Sequence, residues 1–321
     1  FQAEDGIRDV RMSRGLGDVY KRQMRIVEAY QFVPNNNAKH LKQTVSQSIL
    51  ILVKGTSNML FTNIIEVIQD TIEGSDYSLR VHYLDEDADE VKEAVRMCRE
   101  HKPMGILFLG GNIQYFHEEF ELVNVPCVLV TDRADKLGFR NLASVSTDDM
   151  AAAEMAVDYL FDHGHRDIAV IGGDMALSSP SKYRKAGAKR SFIKHGCEFE
   201  EESYAVARFS YESAYNAMNR MLASKRSITA VFAMSDVMAV GAMRAIFDAG
   251  LRVPEDISVI GFDGTLLADY YNPKIVTVCQ GYEKIARKSI DLLFGMIDLN
   301  KPATHELVPF SLKNTESVSS I

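Results

Sequence analysis

Apolar and polar positions follow two rhythms along most of the chain. Residues 228–264 read ITAVFAMSDVMAVGAMRAIFDAGLRVPEDISVIGFDG. An unbroken apolar run over 229–233 stops at Ser235-Asp236. Small and apolar residues then recur at helical spacing through Ala239, Ala242, Met243 and Ile246, as far as Gly250. Val253-Pro254-Glu255-Asp256 leads into a second apolar run over 257–260, which closes on Gly261-Phe262-Asp263-Gly264. A continuous apolar run predicts a strand buried on both faces, and a crossover helix must bury one stripe against the sheet. The segment therefore predicts a β-α-β unit with polar residues at both carboxyl strand ends. In open α/β sheets that edge is where ligands bind.

The same alternation extends in both directions. Apolar runs over 49–53, 79–84, 105–109 and 127–130 are separated by helical patterns over 60–72, 88–101 and about 116–122. A helix over 150–163, a run over 168–171 and helices over 184–195 and 214–222 precede the unit above. A run over 275–278, a helix over 282–296 and a strand-like segment over 305–310 follow it. Strands separated by single helices predict an α/β fold of parallel sheets with right-handed crossovers. No repeat of 20–50 residues and no low-complexity linker separates the halves, so they are expected to meet along a cleft.

Composition narrows the function more than the fold. With 321 residues the chain has room for two domains, and 46% hydrophobic with 25% charged residues is a globular balance. A net charge of −8 means that any contact with nucleic acid must come from a local basic element. Cys98, Cys127, Cys197 and Cys279 form no C-x-x-C pair and read as free thiols in a reducing cytoplasm. No run of 18 apolar residues predicts a membrane span. Residues 1–23 are densely charged, lack the apolar core of a signal peptide and show no periodicity. They read as a non-native, disordered leader of sequencing-adapter origin and are set aside from fold reasoning. Enzyme signatures are missing too. The eight histidines form no H-E-x-x-H, Gly110-Gly111 and Gly172-Gly173 do not extend to a phosphate loop, and no G-x-S-x-G occurs. Neither catalysis, a metal nor a cofactor is expected.

Several phrases in order carry a family resemblance. They are VPNNNAKHL over 33–41, Asn124-Val125-Pro126 leading into Val130-Thr131-Asp132-Arg133, and GHRDIAVIGG over 164–173. Arg184-Lys185-Ala186-Gly187, the unit over 228–264, and Pro273 followed by Val276-Thr277-Val278-Cys279-Gln280 complete the set. Together they span about 27–314, and the chain resembles the lactose-repressor (LacI/GalR) family of ligand-responsive bacterial transcription regulators. The resemblance implies two doubly wound parallel-sheet subdomains of the periplasmic-binding-protein-like class I fold, joined by three crossings near 146–147, Cys279 and Pro309. It divides the chain into the end of a headpiece and a hinge helix over 24–45, a subdomain of 46–147 plus 280–309, and a second of 148–279 plus 310–321. Family-like text begins only at Met24, so the family's helix-turn-helix is expected to be missing here. What remains is the hinge, Asn36, Ala38, Lys39, Leu41 and Lys42. In the family such a helix enters the minor groove, and Leu41 matches the leucine that wedges between base pairs. Lys39 stands where arginine is commoner. The implied partners are operator DNA, a second copy in a homodimer, and a small sugar-like or nucleoside-like effector, with no membrane.

The resemblance also implies effector contacts at Asn58, Phe61, Asn112 and Asp132 from the first half. From the second half come Arg184, Phe209, Ser235, Asp263 and Gln280. Arg184 and Asp263 suit charge-assisted hydrogen bonds to hydroxyl or carboxylate groups, and Phe61 and Phe209 suit a ring face. Plainer roles compete: a turn for Asp263, a solvated helix face for Arg184, core packing for Phe209, an internal ion pair for Asp132-Arg133. Asn124 reads as a loop residue, and Asp148-Asp149 as the cap and N-terminal charge of the next helix. Ser235 replaces a common asparagine and Gly264 a common aspartate, and the chain has no tryptophan for sugar stacking. The rival reading is a secreted sugar-binding protein of a transporter. The hinge phrase and the leader's unlikeness to a signal peptide favour the regulator.

Overall fold

The apolar run at 49–53 becomes β1 (Ser48–Lys54), buried along its whole length. Ile49, Ile51 and Val53 point into one apolar core, and Leu50 and Leu52 into another on the opposite face. Side chains alternate across a strand, so a strand covered on both faces must be apolar at every position. A computed structural model describes residues 47–56, 58–224 and 226–321. The hinge residues Asn36, Ala38, Lys39, Leu41 and Lys42 lie outside them.

Along the chain, β1 is followed by α1 (Met59–Ile72), β2 (Ser78–Leu84), α2 (Glu90–His101), β3 (Gly105–Leu109), α3 (Ile113–Glu119), β4 (Cys127–Val130) and β5 (Leu142–Thr147). Next come α4 (Asp149–Asp162), β6 (Ile168–Gly172), α5 (Ser179–Lys194), β7 (Tyr204–Val206), α6 (Tyr211–Ala223), β8 (Ala230–Ala233) and α7 (Asp236–Asp248). The remainder is β9 (Ser258–Asp263), α8 (Leu266–Tyr270), β10 (Val276–Cys279), α9 (Tyr282–Leu299), β11 (His305–Val308) and β12 (Ser311–Lys313).

These strands form two six-stranded sheets, ordered β2-β1-β3-β4-β5-β11 and β7-β6-β8-β9-β10-β12. Every pairing is parallel except that of β12 with β10. The chain passes between the sheets three times, after β5, after β10 and after β11, which is the doubly wound two-lobed architecture that the resemblance implies. Here a lobe means one sheet with its helices. On the first sheet, α1 and α9 cover one face and α2 and α3 the other.

Most helices start earlier than their apolar periodicity suggests, because polar caps set the start. Asn58, Asp89, Asn112, Asp148, Ser178, Ser210 and Ser235 each accept a backbone N–H of the first turn of the helix that follows. Thus α5 begins at Ser179 rather than near Arg184, with Pro180 in its first turn. Two helix-interior glycines sit where helices pass closely. A Cβ on Gly187 of α5 would strike the carbonyl of Met150 in α4, and one on Gly241 of α7 would strike the carbonyl of Tyr211 in α6. Among the described residues, no helix is long and apolar enough to cross a membrane.

Candidate functional site

The carboxyl ends of strands from both sheets converge on a cavity of about 350 Å³, within the usual range for small-molecule sites. Asn58 and Phe61 reach its wall from the first lobe. Arg184, Phe209 and Asp263 reach it from the second, and Gln280 from the crossing after β10. Thr131 and Asp263, also on the wall, hold positive φ of 71° and 115°. Such strain in non-glycine residues, one of them β-branched, collects at ligand sites.

Arg184 is the centre of the floor. It lies on the α5 face turned towards α4 and the sheet and is 4% exposed, so it does not sit on a solvated helix face. Its Nε donates to Asp149 Oδ1 at 2.7 Å and its Nη1 to the Met234 carbonyl at 2.5 Å. Its guanidinium stacks 3.7 Å from the Phe262 ring centroid, and Nη1 stands 3.9 Å from Asp263 Oδ1. Asp263 accepts a hydrogen bond from Gln280 Nε2 at 2.7 Å. Asp263 Oδ2 and Gln280 Oε1, both buried, have no hydrogen-bond partner among the described residues. Burial pushes the Asp263 carboxyl well above its usual range, with Arg184 opposing and Asp236 adding to the shift. Asp236, one layer down, is held by the backbone N–H and hydroxyl of Thr265 and by the Thr277 hydroxyl. Burial lifts its carboxyl to about 6.

On the first lobe's side, Lys54 at the end of β1 donates to Glu90 at 2.6 Å, and Glu90 also accepts the Asn112 backbone N–H at 2.5 Å. At the mouth, Arg208 of the second lobe reaches Asp85 at 2.5 Å, Asp87 at 3.3 Å and Glu86 at 3.4 Å in the loop after β2. The Phe209 N–H donates to Glu86 at 3.3 Å.

Three residues expected at the site lie off the cavity wall, because the protein uses or covers their polar atoms. Ser235 is fully buried, and its hydroxyl accepts the Met238 N–H at the start of α7. Asn112 caps α3 through Oδ1 and donates from Nδ2 to the Ala176 carbonyl of the opposite lobe at 3.3 Å. Asp132 is 1% exposed; Oδ1 accepts the Arg133 N–H, and Oδ2 has no hydrogen-bond partner. Burial raises the Asp132 carboxyl to about 8, with Asp149 and Glu90 adding to the effect. The alternative Asp132–Arg133 ion pair does not form. The Arg133 side chain turns outward to Asp135 at 3.0 Å while its neighbour turns inward. Asn124 is an exposed loop residue, and Asp148 caps α4.

Lys54, Arg208 and Asp149 belong to the site without any signal in the sequence that singles them out. Asp149 reads as an ordinary N-terminal helix charge, and only its packing against α5 makes it the counter-ion of Arg184. Among the described residues, no group of three or more His, Cys, Asp or Glu side chains could hold a metal ion.

Comparison with known proteins adds independent findings. A family model described as a periplasmic binding protein-like domain matches residues 157–318. The chain is 33% identical over 303 residues to the HTH-type transcriptional regulator MalR of Clostridium butyricum, covering 93% of this chain and 90% of that protein. It is 32% identical over 306 residues to the probable HTH-type transcriptional repressor ExuR of Bacillus subtilis, covering 92% and 86%. The lac repressor dimer, solved bound to operator and the anti-inducer ONPF, superposes with a TM-score of 0.77 at 24% identity, over 90% of this chain and all of that one. At that identity the likeness is one of fold.

Proposed function

The chain belongs to the lactose-repressor (LacI/GalR) family of transcriptional regulators, and from that premise we propose that its interlobe cleft binds a small hydroxylated effector, a sugar or sugar derivative ahead of a nucleoside. The observation that carries this is the cleft floor. A buried guanidinium stands beside two buried oxygen acceptors that have no hydrogen-bond partner, Asp263 Oδ2 and Gln280 Oε1. Leaving such atoms unsatisfied costs about 1–3 kcal/mol each, and a ligand's hydroxyl groups would recover that. Phe61 and Phe209 offer apolar faces for the carbon side of a ring. This is recognition chemistry. No nucleophile and base meet there, and the protein is read as a binding regulator of the cytoplasm, neither an enzyme nor a transporter's solute carrier.

The effector would act by changing how the lobes close. Its contacts come from both lobes, so its affinity depends on the closure angle. That angle sets the spacing of the two hinge segments in a homodimer on its operator. Asn36, Ala38, Lys39, Leu41 and Lys42 are the proposed DNA contacts, with Leu41 as the wedge. Effector and DNA affinities are then linked reciprocally, typically by about 1–3 kcal/mol. The domain division at 147/148, 279/280 and 309/310 is kept as part of this reading. A thermal-shift screen of sugars and nucleosides tests it. Hits are expected to lose their stabilisation in Arg184→Ala and in Asp263→Ala, and a hit that stabilises both variants as well as the parent puts the site elsewhere.

A further inference from the structure

We infer that the cleft selects uncharged ligands and rejects their anionic counterparts, so that the effector is a neutral polyol, glycoside or nucleoside and not a uronate, an aldonate or a phosphate ester. This deepens the functional reading above and rests on it. Among the described residues, the cations on the cavity wall are Lys54, Arg184 and Arg208. Each already has a carboxylate. Lys54 meets Glu90 at 2.6 Å with both side chains buried, and Arg184 meets Asp149 at 2.7 Å with both about 5% exposed. Arg208 is shared among Asp85, Glu86 and Asp87. With Asp263, six acidic side chains face three basic ones around the cavity. Among the side chains of the cavity wall, the buried polar atoms left without partners are both oxygens, Asp263 Oδ2 and Gln280 Oε1. Gln280 Oε1 calls for an O–H or N–H donor, which a neutral polyol presents and a carboxylate or phosphate group does not, and a hydroxyl can serve Asp263 Oδ2 whether or not that carboxyl holds its proton.

At Arg208 an anion competes with three carboxylates, and at Lys54 or Arg184 it can displace the carboxylate only by breaking a buried pair. The freed carboxylate would then stay buried and unpaired, which costs more than the new pair returns. A neutral ligand breaks nothing. Rejection by an uncompensated charge is a common way for a site to discriminate between ligands of like shape. The expected discrimination within a matched pair is at least about tenfold in affinity.

Matched neutral and anionic pairs test this by titration calorimetry on the full chain. Suitable pairs are galactose and galacturonate, ribose and ribose 5-phosphate, maltose and maltobionate, and adenosine and adenosine monophosphate. The neutral member of at least one pair is expected to bind, at least ten times more tightly than its anion. An anion that binds as tightly as its neutral partner overturns the charge selection and leaves the effector site standing. A panel in which neither kind binds counts against the functional reading and against this one with it. Glu90→Gln adds a gain-of-function arm, because it removes the counter-charge of Lys54. In that variant the gap between neutral and anionic members should narrow. A gap that stays the same shows that the pairing does not cause the exclusion.

Discussion

Arg184 and Asp149 meet at 2.7 Å with both side chains about 5% exposed, so removing either alone leaves the other charge stranded. Breaking a buried pair from one side costs roughly 3–5 kcal/mol. Arg184→Ala and Asp149→Ala should each destabilise the fold on that scale, whereas the double variant should cost clearly less than the two together. Chemical denaturation of the four proteins measures this, and strict additivity would show that the pair is not coupled. Asp132 makes a prediction of a different kind, because burial lifts its carboxyl from 3.8 to about 8 in the folded chain. Between those values the folded protein keeps a proton that the unfolded chain releases. The favourable contribution is therefore complete below about pH 4 and is lost as the pH rises through about 8. Asp149 and Glu90, which face Asp132, are shifted in the same direction by burial. Asp132→Asn should flatten the fall in melting temperature between pH 5 and 8 while the parent declines, and equal slopes would sink the argument.

At the scale of elements, most of the fold was legible because buried parallel strands need continuous apolar runs and their crossover helices need one apolar stripe. What escaped was short or half-exposed. β7 and β12 have three residues each and expose part of their side chains, so neither makes a run. The site was legible in part for the same reason. Asp263 ends β9 and Gln280 follows β10, so both can be located from the strands. Arg208 lies in an irregular loop, and its carboxylates are more than a hundred residues away in sequence. Partners at that separation are set by packing, which periodicity does not report. Ser235 misled because a serine at a strand end can serve either a ligand or the next helix, and here it caps α7. Gly187 and Gly241 show the opposite case, since a glycine inside a helix has a cost that packing must explain. Alanine at either position would gain about 1 kcal/mol of helix propensity. The new Cβ would nevertheless run into a backbone carbonyl of the neighbouring helix. Overpacking costs about 1–3 kcal/mol, so Gly187→Ala and Gly241→Ala should each lower stability overall. A rise in denaturation midpoint for either would show that the helices can separate cheaply.

At the scale of the molecule, what matters is how the two lobes are held about the cleft. A half-buried hydrogen bond from Asn112 to the Ala176 carbonyl crosses between them. The mouth instead is held by Arg208 against Asp85, Glu86 and Asp87, of which all but the half-buried Glu86 lie largely in solvent. Solvent-exposed charges are screened as salt rises, with a Debye length that falls from about 10 Å at 0.1 M to about 3 Å at 1 M. A hydrogen bond between neutral groups hardly responds. The lobe separation in the ligand-free protein should therefore depend on salt, and through one side chain. In the parent, distance between fluorophores placed on the two lobes should grow from 0.05 to 1 M salt. In Arg208→Ala it should start near the parent's high-salt value and stay there. The same salt response in both proteins would mean that Arg208 does not hold the mouth. If the prediction holds, salt acts on the closure angle on which effector affinity depends, so effector binding by the parent should weaken with salt more steeply than binding by Arg208→Ala.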